Sequence, residues 1–86
     1  MEKTTVEMLK LQDKMVLESL DTIIDMIDGN RHFVIDNRNM IGGRQENRWL
    51  WDDYYDGYNA LSRALSNVRY AREQLMRAER MLEGDE

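Results

Sequence analysis

The sequence contains no cysteine and no proline. Without cysteine, a disulfide framework, a thiolate zinc site and thiol catalysis are excluded, and we expect a reducing, cytoplasmic setting. No run of about 18 apolar residues is present that could span a membrane, and the N-terminus lacks the basic start and apolar stretch of a signal peptide. Basic side chains are also scarce, with 12 Lys and Arg against 17 Asp and Glu. That balance disfavours binding to duplex nucleic acid, which requires a basic face.

The chain is short enough for a single domain, residues 1–86, and its composition favours helix. Apolar residues recur at steps of three and four in a first segment, if Asp13 fills one gap: Val6, Leu9, Val16, Leu20, Ile23 and Ile27. Thr4 and Glu7 have the spacing of a capping box, and Gly29-Asn30 is a typical helix stop. The pattern predicts a helix over about 5–28.

A second row has the same spacing, and Asn47 precedes it as a candidate N-cap. The row predicts a helix over about 48–83, with residues 29–47 as the connector. Its members are Trp51, Tyr54, Tyr58, Leu61, Leu65, Val68, Arg72, Leu75, Glu79 and Leu82.

Two such rows predict an all-α fold, an antiparallel two-helix hairpin with a short connecting segment. If Asp13 pairs with Arg72, then Ile27 faces Tyr58 in the same register, and the ion pair fixes alignment. The open alternative is that both charged residues lie at a wet edge. One hairpin buries a thin core, so we expect a homo-oligomer, a dimer or larger. The apolar residues left outside the first row need such cover: Leu11, Leu17, Ile24 and Met26.

The connector is basic in an acidic chain. Residues 29–48 carry four arginines against Asp36 and Glu46, a net charge of +2. Aromatic residues follow at once, and arginine both chelates phosphate and stacks on flat rings. These residues predict a nucleotide-binding site, with stacking for the base and guanidinium groups for the phosphate. The candidate ligands chosen on chemistry alone are Arg31, Arg44 and Tyr55. The alternative is that the aromatic residues only cap the hairpin end.

Acidic pairs offer a different chemistry. Glu18 with Asp21, and Asp53 with Asp56, are spaced like the metal-binding pairs of all-α nucleotide pyrophosphatases, which the pattern resembles. Shorter aspartates stand at most of the usual glutamate positions. The serines have no base partner, so a nucleophilic triad has no support. We therefore expect no catalytic residue, no metal and no cofactor.

The segment Arg48-Trp49-Leu50, followed by Gly57-Tyr58-Asn59-Ala60-Leu61-Ser62-Arg63-Ala64-Leu65, resembles the C-terminal hairpin of bacteriophage anti-CBASS cyclic-nucleotide sponges. The likeness covers about a fifth of the chain. It implies a small helical protein without catalytic activity, forming dimers that assemble further and hold the ligand between protomers. Carried over by position, Arg48, Trp49 and Tyr58 are implied to bind the ligand.

The resulting hypothesis is a protein that binds and sequesters cyclic oligonucleotide second messengers, cyclic dinucleotides such as cGAMP, without cleaving them. By the resemblance, it blocks bacterial antiphage (CBASS) signalling in the cytoplasm of an infected host. The alternative is a protein-binding helical inhibitor module of phage origin, and a less favoured one is the Mg²⁺-dependent pyrophosphatase.

Overall fold

The computed structural model describes residues 1–43 and 45–84, and these form two long helices without a strand. Helix α1 spans Lys3–Met40 and helix α2 spans Arg48–Gly84. Cross-helix contacts run in opposite order along the two helices, from Arg38 with Trp51 to Arg31 with Tyr58, so the helices are antiparallel. The molecule measures 64 × 14 × 13 Å. The expected all-α hairpin is confirmed.

Helix α2 begins and ends within one residue of the expected range. Every position of its apolar row is buried or half-buried, and Leu65 is only 1% exposed. The row includes Arg72 and Glu79, whose aliphatic stems cover apolar surface while their charged ends reach solvent. The three-and-four spacing therefore identified the packing face of α2 completely.

Helix α1 continues to Met40, twelve residues beyond residue 28, so the expected end of the first helix is wrong. Glycine inside a helix costs about 1 kcal/mol relative to alanine, so Gly29 disfavours a helix without forbidding it. The packing row continues past it, with Arg31, Val34 and Arg38 half-buried against α2. Packing of these residues outweighs the cost of one glycine. The connector consequently shortens from residues 29–47 to residues 41–47.

The start of α1 also differs from expectation. The N-cap is Glu2, which makes no side-chain capping bond, so the capping box of Thr4 and Glu7 does not form. Within α1, Leu17 and Ile24 face α2, while Val16 and Ile23 are 44% and 40% exposed. The expected row was wrong at these positions because two adjacent apolar residues satisfy the spacing equally well.

The register differs too. Arg72 Nε donates to Asp21 Oδ1 at 2.6 Å, so the pairing of Arg72 with Asp13 is wrong. Arg31, one turn beyond Ile27, lies over Tyr58. The error follows from the repeat, because shifting one helix by a full turn preserves an apolar match.

A tight turn joins the helices. Gly42 has φ +86°, in the left-handed region that glycine adopts without steric cost. The Asn47 side-chain amide donates to the Ile41 carbonyl at 2.5 Å, which ties the end of α1 to the start of α2. The Asn47 carbonyl in turn accepts from Trp51 N–H at 2.9 Å, as the carbonyl of a residue just before a helix does.

The core is thin. Val6, at 2% exposed, and Leu65 are the fully buried apolar side chains of the described residues. Across that same part of the chain, no helix has the length and apolarity needed to cross a membrane.

Candidate functional site

Two arginines occupy apolar-row positions of α1 near the turn. Arg31 and Arg38 are seven residues apart, so they lie two turns apart on one helix face. The Arg38 guanidinium carbon is 4.9 Å from the centroid of the Trp51 ring, and that of Arg31 is 5.6 Å from the centroid of Tyr58. Both distances are within the range of cation–π attraction. We call this end of the hairpin, which holds the two arginines and their ring partners, the turn end.

The Trp51 ring is also stacked on Tyr55. The two ring centroids are 5.5 Å apart and the planes differ by 14°. The Trp51 indole therefore contacts both the Arg38 guanidinium and the Tyr55 phenol ring, and the Tyr55 side chain is 44% exposed. An exposed ring stacked on a second ring suits a flat, electron-poor ligand such as a nucleobase.

Carboxylate contact restrains one of the arginines. Arg31 Nη2 donates to Asp28 Oδ1 at 2.7 Å, and His32 Nε2 lies 3.9 Å from the other oxygen of Asp28. The Nε atoms of Arg31 and Arg38 are buried and make no hydrogen bond with the described part of the protein. Leaving such a donor unpaired costs about 1–3 kcal/mol, which the cation–π contacts offset in part.

A second ring lies on another side of α2. The Arg48 guanidinium is 5.8 Å from the centroid of the neighbouring Trp49, whose side chain is 80% exposed. Trp49 is two residues from Trp51, and residues two apart project from nearly opposite sides of a helix. Trp49 therefore does not join the stack of Trp51 and Tyr55.

The structure places the Arg31 guanidinium over the Tyr58 ring and stacks Tyr55 on Trp51. It separates Trp49 and Arg48 from that stack. Arg44, the remaining candidate, lies outside the described residues. The candidate list omitted Arg38, which a three-and-four row extended past Gly29 places opposite the α2 aromatics.

A second basic region lies in the middle of the hairpin, in a groove of about 540 Å³. Three arginines share it with two carboxylates, and Arg72 is held by Asp21. The groove is therefore nearly balanced in charge, and it is less suited to binding an anion than the turn end. Its lining is Asp21, Ile24, Arg69, Arg72, Glu73, Met76 and Arg80.

The acidic pairs of the pyrophosphatase interpretation do not face each other. The contact of Arg31 with Tyr58 sets residues 53–56 beside residues 33–36 of α1, fifteen positions from Glu18 and Asp21. At 1.5 Å per residue the two pairs are about 20 Å apart along the hairpin, too far to share a cation. In residues 1–43 and 45–84, no three His, Cys, Asp or Glu side chains are placed to hold a metal ion.

Comparison of the chain with protein-family models, with curated proteins and with solved structures finds no match.

Proposed function

We propose that this protein binds a cyclic oligonucleotide second messenger at the turn end of the hairpin and sequesters it without cleavage. The ligand class comes from the resemblance of residues 48–50 and 57–65 to phage anti-CBASS sponges. By the same resemblance, the protein acts in the cytoplasm of an infected bacterium and withholds the messenger, such as cGAMP, from its immune effector.

The observation that carries the proposal is the pairing of exposed rings with guanidinium groups at one end of an acidic chain. Trp49 and Tyr55 present accessible rings, and Arg48 and Arg38 lie against Trp49 and Trp51. Stacking of a base on an aromatic ring contributes about 1–3 kcal/mol, and arginine adds bidentate contacts to phosphate. A cyclic dinucleotide offers two bases and two phosphates, which matches these two kinds of group.

Sequestration is stoichiometric, so the effect depends on affinity, on slow release and on the number of protein copies. It needs no acid, base or nucleophile. The ring and guanidinium groups at the turn end serve binding and are not arranged as a nucleophile–base pair.

The test is native mass spectrometry with isothermal calorimetry, using cyclic di-AMP, cyclic di-GMP, cGAMP and a cyclic trinucleotide. We expect at least one to bind and to be recovered at unchanged mass. Arg48→Ala and Trp49→Ala each weaken binding at least tenfold, equal to about 1.4 kcal/mol. Arg77→Ala and Tyr70→Ala are matched controls, because both residues are exposed on α2, away from the turn and outside the segment that carries the resemblance.

Binding of none of the four nucleotides would refute the proposal, as would ligand converted to a linear product. Equal losses in the control variants would show that general charge, and not the turn end, is responsible.

The alternative function, a protein-binding helical inhibitor, is favoured by a different observation. Helix α1 carries a row of exposed apolar side chains, including Phe33 at 68% exposed and Met40 at 81%. A chain that binds no cyclic nucleotide and stays monomeric in solution, with this row uncovered, would support the inhibitor instead.

A further inference from the structure

Helix α1 has a second apolar row in addition to the one that packs on α2. Its members follow the same helical spacing but lie on another side of the helix, and each is at least 57% exposed. We call this set the methionine row: Met8, Leu11, Met15, Met26, Phe33 and Met40. In a single hairpin nothing among the described residues covers it.

The side of α1 that carries the methionine row is largely uncharged. Ser19, Thr22 and Asn30 lie between the row members, while Glu18 and Asp36, three residues after Met15 and Phe33, lie at the edge of the row toward the charged side of α1. The charged residues of α1 are concentrated on the remaining third of the helix surface or in the row facing α2. In a chain that is 34% charged, this separation of apolar from charged residues is typical of a surface that becomes buried against a partner.

The neighbouring side of α2 carries small residues. Ala78 and Met81 line a mainly apolar groove of about 460 Å³ together with Met1, Leu9 and Asp13. Gly57 lies on the same side of α2 by helical spacing, and a Cβ built there meets no atom within 4 Å. Another helix can approach this surface closely.

The hairpin exposes more area than a compact monomer of its size, enough for an interface. The chain exposes 6611 Å², whereas a globular monomer of this size exposes about 5,300 Å². The excess is somewhat more than the roughly 800 Å² that each partner contributes to a stable interface of standard size.

We propose that a second copy of this chain covers the methionine row, in a two-fold contact that runs the two α1 helices antiparallel. The row is self-complementary about a centre between Leu20 and Asp21. Met8 meets the partner's Phe33, and Met15 meets the partner's Met26, with small polar side chains at the centre. Shifting the helices by one heptad in one direction leaves a single pair within the row, Met8 with Met26. Shifting them in the other direction pairs Met8 with Met40 and Met15 with Phe33 but shortens the overlap of the two α1 helices. A two-fold contact requires such self-complementarity, and the carboxylates of Glu18 and Asp36 lie at its edge, where they stay in solvent.

A membrane is a poorer occupant. Helices that lie in the membrane surface carry lysine and arginine on their polar side. The exposed charges of α1 are mostly acidic, including Glu7, Glu18 and Asp25. Anionic lipids would repel them.

The test uses the absence of cysteine from the natural chain. Chains carrying Met8→Cys and chains carrying Phe33→Cys are oxidised separately and as a mixture. We expect covalent dimers only from the mixture, each containing one chain of each kind. Covalent dimers from either variant alone would indicate parallel helices and overturn the arrangement, and so would the absence of covalent dimers from all three samples.

A second measurement does not depend on cross-linking. Sedimentation equilibrium of the natural chain gives a dimer or a multiple of it. Met15→Glu puts a carboxylate into the contact and weakens association at least a hundredfold, while circular dichroism remains helical. Lys14→Gln changes the charge equally on the charged side of α1 and stays associated.

A natural chain that is monomeric would overturn the proposal, and its binding to phosphatidylcholine vesicles would assign the row to lipid instead. Association unaffected by Met15→Glu would likewise place the contact elsewhere. None of these outcomes depends on nucleotide binding, so this proposal and the proposed function fail or stand separately.

Discussion

Arginine at two packing positions of α1 has a clear physical consequence. Arg31 and Arg38 stand where the row otherwise has leucine, isoleucine or valine, and each has a buried Nε without a hydrogen bond. An aliphatic side chain would fill the same position without that cost. Residues that lower stability at a packed position are expected where a site needs their chemistry.

Replacing Arg38 by leucine separates these two roles. Leucine removes the unpaired donor and keeps the contact with Trp51, while the cation–π term of about 0.5–2 kcal/mol is lost. We expect Arg38→Leu to leave the free energy of unfolding unchanged or raise it by up to about 1 kcal/mol, measured by urea denaturation. Binding of a cyclic dinucleotide should weaken about tenfold by calorimetry. A destabilised variant with full affinity would show that Arg38 serves the fold alone.

The ion pair of Asp21 and Arg72 contributes little. The Arg72 and Asp21 side chains are 39% and 56% exposed, so solvent screens their attraction despite the 2.6 Å contact. Asp21→Asn should lower the free energy of unfolding by less than about 1 kcal/mol, and less still in high salt. Asp25→Asn, also exposed on α1, is the control. A loss of several kcal/mol specific to Asp21 would mean that the pair is effectively buried.

At the scale of the helix, Gly29 inside α1 and Gly42 just after it should respond oppositely to alanine. Gly29 lies inside α1 and a Cβ there meets no atom within 4 Å, so Gly29→Ala should raise the free energy of unfolding by about 1 kcal/mol. Gly42 has φ +86°, and its added Cβ would lie 3.3 Å from Glu46 Oε2, so Gly42→Ala should lower it by a similar amount. Urea denaturation of both variants gives the comparison. A destabilising Gly29→Ala would mean that α1 is broken there after all.

How much of this structure could be predicted from the sequence differs between the helices. In the middle of the α2 row, Leu61, Leu65 and Val68 have only small or polar neighbours, so they fix the packing face, and the spacing extends it in both directions. In α1, adjacent apolar pairs such as Val16-Leu17 left the packing face ambiguous. The helix was expected to stop at Gly29 although the row of packing residues continues past it. The register of α1 against α2 was undetermined, because two rows with three-and-four spacing still place apolar residues opposite one another after one helix is shifted by a turn. For the site, Arg31 was chosen on its chemistry and Tyr58 from the resemblance, but the opposite directions of Trp49 and Trp51 require helix geometry.

At the scale of the whole molecule, an antiparallel dimer separates the two turn ends. Helix α1 is 38 residues long, so its two ends are about 57 Å apart at 1.5 Å per residue. In the two-fold contact each turn end lies beside the partner's N-terminus, and the two candidate sites are too far apart to share one cyclic dinucleotide. The two proposals together therefore predict one ligand per chain, which the native mass spectrum measures directly. One ligand per pair would require the turn ends to meet, against the antiparallel arrangement.

Stability at this scale should depend on protein concentration. A hairpin with two fully buried apolar side chains among its described residues has little core of its own, so in the proposed dimer the covered methionine row would supply much of the stabilisation. Because association favours the folded state by mass action, a hundredfold rise in concentration stabilises a coupled dimer by up to about 2.7 kcal/mol. The thermal midpoint followed by circular dichroism should therefore rise over that concentration range. In Met15→Glu it should be lower and independent of concentration, because the hairpin then folds alone. A midpoint that is high and constant in the natural chain would mean that the two-helix hairpin is sufficient by itself.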